Sequence, residues 1–176
     1  MRDRRFVAEH RGGPLKKEQH YLLMKWACDC AEHVLPLYGE RADSRLTDAL
    51  AVAKAWTNGN ASVGDCRKAA VASHAVARES SNPASIAVAR AVGHAVATAH
   101  MADHSLGPAW YALKAVKAAS RLKQKEVERK QEGVNRHLQS IGQLQAMVEA
   151  ERGWQDEHLP PEIRELVLTA RKKRKI

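Results

Sequence analysis

The sequence predicts an all-α protein, an Ala-rich bundle of about six to seven helices, from its alanine content, its periodicity and the placement of its breaks. Alanine fills 23 of the 71 positions from Ala49 to Ala119, which favours helix and disfavours sheet. Apolar residues recur at three- and four-residue spacing in successive windows, one buried stripe to each helix. Gly, Pro and Asn fall between the windows, where helices are capped or broken.

Residues 1–15 hold Arg11-Gly12-Gly13-Pro14 and little apolar content, and are expected to be a flexible arm. A first helix is expected from Lys16 to Leu37, with Leu22, Leu23, Trp26, Ala27, Cys30, Val34 and Leu37 on one stripe, and Gly39 as its stop. The second, Ser44 to Thr57, turns Leu46, Leu50, Ala53 and either Trp56 or Ala49 inward. A capping box of Ser62 and Asp65 opens the third, which reaches Glu79. Asn82-Pro83 supplies a capping side chain followed by proline at the first helical position, so a fourth starts there and is expected to run to His104. Leu106-Gly107-Pro108 then breaks the chain.

A fifth helix continued without interruption would be about 75 Å long, more than a domain of this size spans. Gly133 and Asn135 offer a stop and a restart, dividing the region into 108–132 and 135–157 as a hairpin. Leu113, Ser120, Val127, Val134, Ile141 and Val148 nevertheless fall seven apart, a seam that suits one long helix in a coiled coil. Leu159-Pro160-Pro161-Glu162 begins a last short helix with Ile163, Leu166 and Val167 as its apolar face. The expected organisation is one helical domain over 16–168, with 121–149 protruding as a hairpin or coiled coil, and a basic tail at 169–176. Leu22, Leu23, Trp26, Cys30, Val34, Leu50, Trp56, Val92, Val96, Leu113 and Val116 are the expected core.

The chain has 176 residues, 44% hydrophobic and 28% charged, the composition of a soluble globular protein that buries about 70% of its surface without a metal or disulfide staple. No stretch reaches the roughly 18 apolar residues of a membrane span, and no apolar signal core follows the charges of Met1 to Arg5, so a cytoplasmic protein is expected. Cys28, Cys30 and Cys66 are an odd number with no metal-site spacing, and are expected as buried thiols.

The net charge of +9 is unevenly placed. Residues 21–104 carry eight basic and eight acidic side chains, whereas Lys114 to Lys130 carry seven basic and two acidic, and Arg171 to Lys175 are all basic. Lys114, Lys117, Arg121, Lys123, Lys125, Arg171, Lys172, Lys173, Arg174 and Lys175 are therefore the candidate phosphate contacts of an alternative reading, a basic helical nucleic-acid-associated protein. A coiled-coil assembly subunit using the 113–148 seam is a further alternative.

His100 and His104 lie four apart and would share a helix face, the spacing of a zinc pair. Met101 stands where the metalloprotease motif has Glu, and no third ligand follows, so no metal is expected. Asp29, Glu32 and His33 share the polar side of the first helix, without a nucleophile nearby. No GxxxxGK[ST], GxGxxG or GxSxG motif occurs, so neither an enzyme nor a cofactor is expected.

The segments Trp26 to Leu35, Ala55-Trp56, His74 to Glu79, Gly93 to His104 and Trp110 to Val116, and more weakly Trp154-Gln155 and Leu159 to Leu168, resemble the bacterial immunity-protein domain of polymorphic-toxin systems. The resemblance implies an all-helical, non-catalytic protein that neutralises a cognate protein toxin by binding it, as a monomer or homodimer without membrane contact. Asp29, Glu32, His33, Arg90, His94, His100, Asp103 and His104 are the candidate partner contacts, since a few directional polar anchors dominate an interface. The positive charge disfavours a basic nuclease as the toxin and favours one that is acidic or that acts on something other than nucleic acid.

Overall fold

The computed structural model describes residues 3–39, 41–130 and 137–175, and the side chains of these outside 126–141. It is all-helical, with α1 at Lys17–His33, α2 at Ser44–Thr57, α3 at Val63–Glu79, α4 at Pro83–Ala97, α5 at Leu106–Lys130, α6 at His137–Glu157 and α7 at Pro161–Arg174. Short 3-10 turns at Arg4–Phe6, Glu9–Arg11, Leu35–Tyr38 and Ala102–Ser105 join them. Among the described residues the nearest thing to a strand is one isolated bridge between Ala8 and Leu15.

The helix starts follow the expected chemistry. Ser62 Oγ accepts from the Asp65 amide while the Asp65 carboxylate accepts from the Ser62 amide, the reciprocal capping box. The Asn82 side chain accepts from the amides of Ala84 and Ser85, with Pro83 at the first position of α4.

Two helix ends differ from the expectation. α1 stops at His33 because Pro36 has no N–H to donate and disfavours helical geometry at Leu35, so Leu35–Tyr38 tighten into a 3-10 turn. α4 stops at Ala97, not His104: the Thr98 carbonyl is taken by the His20 ring at 2.7 Å, and Met101 is extended. His100 and His104 therefore do not share a helix face. α5 begins before Gly107-Pro108, where a proline in the first turn removes an N–H that has no helical partner.

α4 is the centre of the bundle, packed on α1, α2, α3 and α5. Ala84, Ala87, Val88, Ala89, Ala91, Val92, Gly93, Ala95, Val96 and Ala97 are all buried, so most of the helix surface is covered by neighbours, and Ile86, Arg90 and His94 form the half-buried remainder. Its small side chains let the neighbouring axes approach closely. Of the expected core, Leu23, Trp26, Cys30, Val34, Leu50, Val92, Val96, Leu113 and Val116 are buried. Leu22 and Trp56 are half-buried against it. Cys28, Cys30 and Cys66 are buried free thiols.

α5 and α6 fold back on each other antiparallel: Ser120 Oγ lies 3.2 Å from Met147 Sδ, and Gln155 Nε2 donates to the Ala109 carbonyl at 3.1 Å. Val148 of α6 packs with Ala112, Ala115 and Val116 of α5. The seven-residue seam is thus occupied within the chain where it is described. The expected break at Gly133 and Asn135, and the seam side chains Val127, Val134 and Ile141, lie outside the described residues.

Both chain ends depart from the expectation. Phe6 and Leu15 are buried with Leu23, Trp26, Leu159 and Ile163, so the arm is tied to the body by a loop whose Leu15 amide donates to the Val7 carbonyl. The basic run is the last turn of α7, and Arg171 within it is 4% exposed. A tail of solvated charges does not describe it, because one guanidinium in the run faces the core.

Candidate functional site

Four histidines from three segments converge where α3, α4 and the 102–105 turn meet α5. His74 and His94 have ring centroids 5.3 Å apart, His94 and His104 5.2 Å, and His100 and His104 5.1 Å. Tyr111 of α5 stacks on His94 at 5.2 Å and 20°. Two glycines make the room. A Cβ on Gly93 would come within 2.6 Å of the His74 ring, and one on Gly107 within 2.6 Å of His94.

His94 Nδ1 and His104 Nδ1 are 3.1 Å apart, so one ring donates and the other accepts. Burial is the main reason that the His94 pKa falls to about 4, with the charges of His104, His74 and Arg90 adding to it. His74 is lowered too, by burial first and then by Arg90, Arg78 and His104. His94 and His74 are consequently neutral near pH 7, and His94 faces a surface opening. Among the described residues no three His, Cys, Asp or Glu side chains are placed to hold a metal ion.

That opening is a cleft of about 570 Å³ lined by His94, Asp103, His104, Leu106, Gly107, Trp110, Tyr111, Arg174 and Lys175. The Arg174 guanidinium reaches Asp103 Oδ2 at 3.4 Å, long for a charge-assisted bond. Trp110 is 38% exposed, and Lys114, one turn further along α5, sets its ammonium 3.6 Å from the indole centroid. The cleft thus combines an exposed aromatic face, imidazole edges and a rim of cations.

The structure brings together His94, Asp103 and His104 of the candidate contacts, and Arg174 and Lys175 of the candidate phosphate contacts. The others do not line this cleft. His100 lines a smaller pocket of about 240 Å³ with Glu9, Arg11, Lys17 and Tyr21. Arg90 is half-exposed on α4, close enough to depress His94 and His74. Glu32 pairs with Lys54 of α2 at 2.5 Å, and burial raises the pKa of half-buried Asp29. His33 stacks on Trp154 at 3.8 Å and reaches the buried Glu151 carboxylate at 3.1 Å. Lys117, Arg121, Lys123 and Lys125 are exposed along α5, and Lys172 and Lys173 on α7.

Sequence reasoning missed Trp110 and Tyr111 as site residues. The available signal was a Trp with a Lys four residues on at the start of a helix, a pair that can stack on the surface. It also missed His20, which is buried, holds the Thr98 carbonyl and packs edge-on to Trp56 at 5.2 Å. The thiols offer no nucleophile: burial pushes Cys28 up to about 12 and Cys66 to about 11, and Cys30 well above its ordinary value.

No helix among the described residues is long and apolar enough to cross a membrane. No curated protein and no solved structure matches the chain. A family model described as "Imm-5 like putative immunity protein" matches residues 13–162, which include α1 to α6 and the cleft's Trp110, His94, Asp103 and His104. The chain belongs to the Imm-5 like family.

Proposed function

We propose that this protein is a cytoplasmic immunity factor that binds a cognate protein toxin and neutralises it by surface contact, without catalysis. The observation that carries the reading is the family match over residues 13–162. The cleft supports it as a contact face: Trp110 is an exposed aromatic anchor of the kind that dominates interfaces, surrounded by His94, Asp103, His104 and Arg174. Inert thiols agree with a non-catalytic role. Asp29, Glu32, His33, Arg90 and His100 are proposed as further contacts outside the cleft.

Growth rescue tests the reading. Cells expressing the toxin gene adjacent to this one should survive when the folded protein is co-expressed, and their death would reject it. Gel filtration decides between monomer and homodimer. The exposed Lys117, Arg121, Lys123 and Lys125 keep phosphate binding as a second reading, for which affinity for duplex DNA must fall steeply with salt.

A further inference from the structure

We propose that the cleft between the 102–105 turn, the start of α5 and the end of α7 is a socket for an acidic side chain of the toxin, with an apolar neighbour of that side chain seated on Trp110. The inference rests on the preceding reading that a protein toxin is the partner, and adds the chemistry by which it is held.

Three features select this occupant. Arg174 and Lys175 line the cleft and Lys114 stands over Trp110, while Asp103 is the single carboxylate among its described lining residues. An arriving carboxylate meets a cationic rim there, and a cationic side chain meets repulsion. Among the described residues Arg174 contacts Asp103 at the long distance of 3.4 Å, and its side chain is 39% exposed, so it can turn to a partner carboxylate and gain a shorter, two-pronged bond. Beside it, the indole of Trp110 and the ring of Tyr111, in edge-to-face contact at 4.9 Å, form a rigid aromatic wall with Leu106 buried beneath the cleft. An apolar group packed on that wall shields the ion pair from water and strengthens it. His94, held neutral by its burial, fits as a hydrogen-bonding edge rather than as a further charge.

A phosphate of a nucleic acid is the competing occupant for the cations. It is disfavoured because the cleft places its cations at one mouth, whereas a nucleic acid needs a row of them tracking its backbone. The row of exposed Lys117, Arg121, Lys123 and Lys125 on α5 does not line the cleft.

The probe is the purified product of the adjacent toxin gene, titrated calorimetrically against the full chain. If the wild type does not bind, the toxin-binding reading fails and this assignment falls with it. If the wild type binds, Arg174→Glu is expected to weaken binding about tenfold or more at an unchanged melting temperature, and Lys123→Glu less than about twofold. Equal affinities of wild type and Arg174→Glu overturn the socket and leave the immunity reading standing. Trp110→Phe keeps the aromatic wall, and Trp110→Ala removes it; only the second is expected to lose affinity. Exchanging exposed Asp and Glu residues of the toxin for Lys should uncover one that restores binding to Arg174→Glu, and finding none overturns the acidic occupant. In a toxin-free arm, the Trp110 indole NMR signal is expected to shift with poly-L-glutamate and not with a short DNA duplex at equal charge; an equal shift with the duplex assigns the cleft to phosphate and overturns the proposal.

Discussion

Arg171 donates to the amide oxygen of Gln155 at 3.1 Å, joining the last turn of α7 to the end of α6 inside the protein. Its other nitrogen reaches Asp156 at 2.6 Å. Gln155, itself fully buried, donates to the Ala109 carbonyl of α5 and to Glu151, and its main-chain carbonyl accepts from the Trp26 indole of α1. One glutamine thus links four helices, and the residue that orients it lies in a run that looks like a solvated tail.

Arg171→Ala should therefore lower stability by about 2–4 kcal/mol, since it leaves a buried amide oxygen and a carboxylate without their donor. The fall in melting temperature, followed by circular dichroism, should be about 5–12 °C. Lys173→Ala, on the same turn but exposed, should stay within about 0.5 kcal/mol. Equal effects from the two substitutions would reject the linking role.

Trp26 makes two separable contributions. Trp26→Ala removes the fully buried ring and should cost about 3–5 kcal/mol. Trp26→Phe keeps most of the volume but deprives the Gln155 carbonyl of its donor, and should cost about 1–2 kcal/mol in urea unfolding.

Gly93→Ala should destabilise by about 1–3 kcal/mol, because the new methyl meets the His74 ring and both lie against the core of α4. The cost should shrink in a His74→Ala background, where the obstructing ring is gone. A double-mutant cycle measures this directly, and strict additivity would show that His74 is not the obstacle.

Acid should loosen the bundle in a defined window. The His94 pKa is about 4 in the fold against 6.5 for an ordinary imidazole, so between these values the unfolded chain binds more protons and stability is lost as the pH falls. His74 and His20 are lowered and act in the same sense. Glu151, raised by burial, opposes them, since its contribution grows as the pH falls. The lowered carboxylates Asp3, Asp43, Asp65 and Glu79 lose their contributions only below about pH 4.5. The unfolding free energy from urea titrations should fall between pH 7 and pH 5 by about 1–2 kcal/mol after allowance for the partial exposure of His94. His94→Gln should flatten that slope; an unchanged slope would place the titration elsewhere.

The helical class, the starts of α3 and α4, and most of the core are legible in the residues, because these depend on local chemistry. Ser62 with Asp65 and Asn82 with Pro83 satisfy backbone amides within three residues of themselves, and the Trp26 stripe follows from the helical period alone. The end of α4 was not legible, since it depends on the His20 ring reaching the Thr98 carbonyl from 78 residues away. The cleft was not legible either. It needs the 102–105 turn, Trp110 and Arg174 to meet, and no spacing along the chain encodes a contact between Asp103 and Arg174 across 71 residues. Arg171 and Arg174, three residues apart in one basic run, were split by tertiary packing alone: a helix turns one inward to Gln155 and leaves the other at the mouth of the cleft, and which does which is set by where α7 lies against α5 and α6.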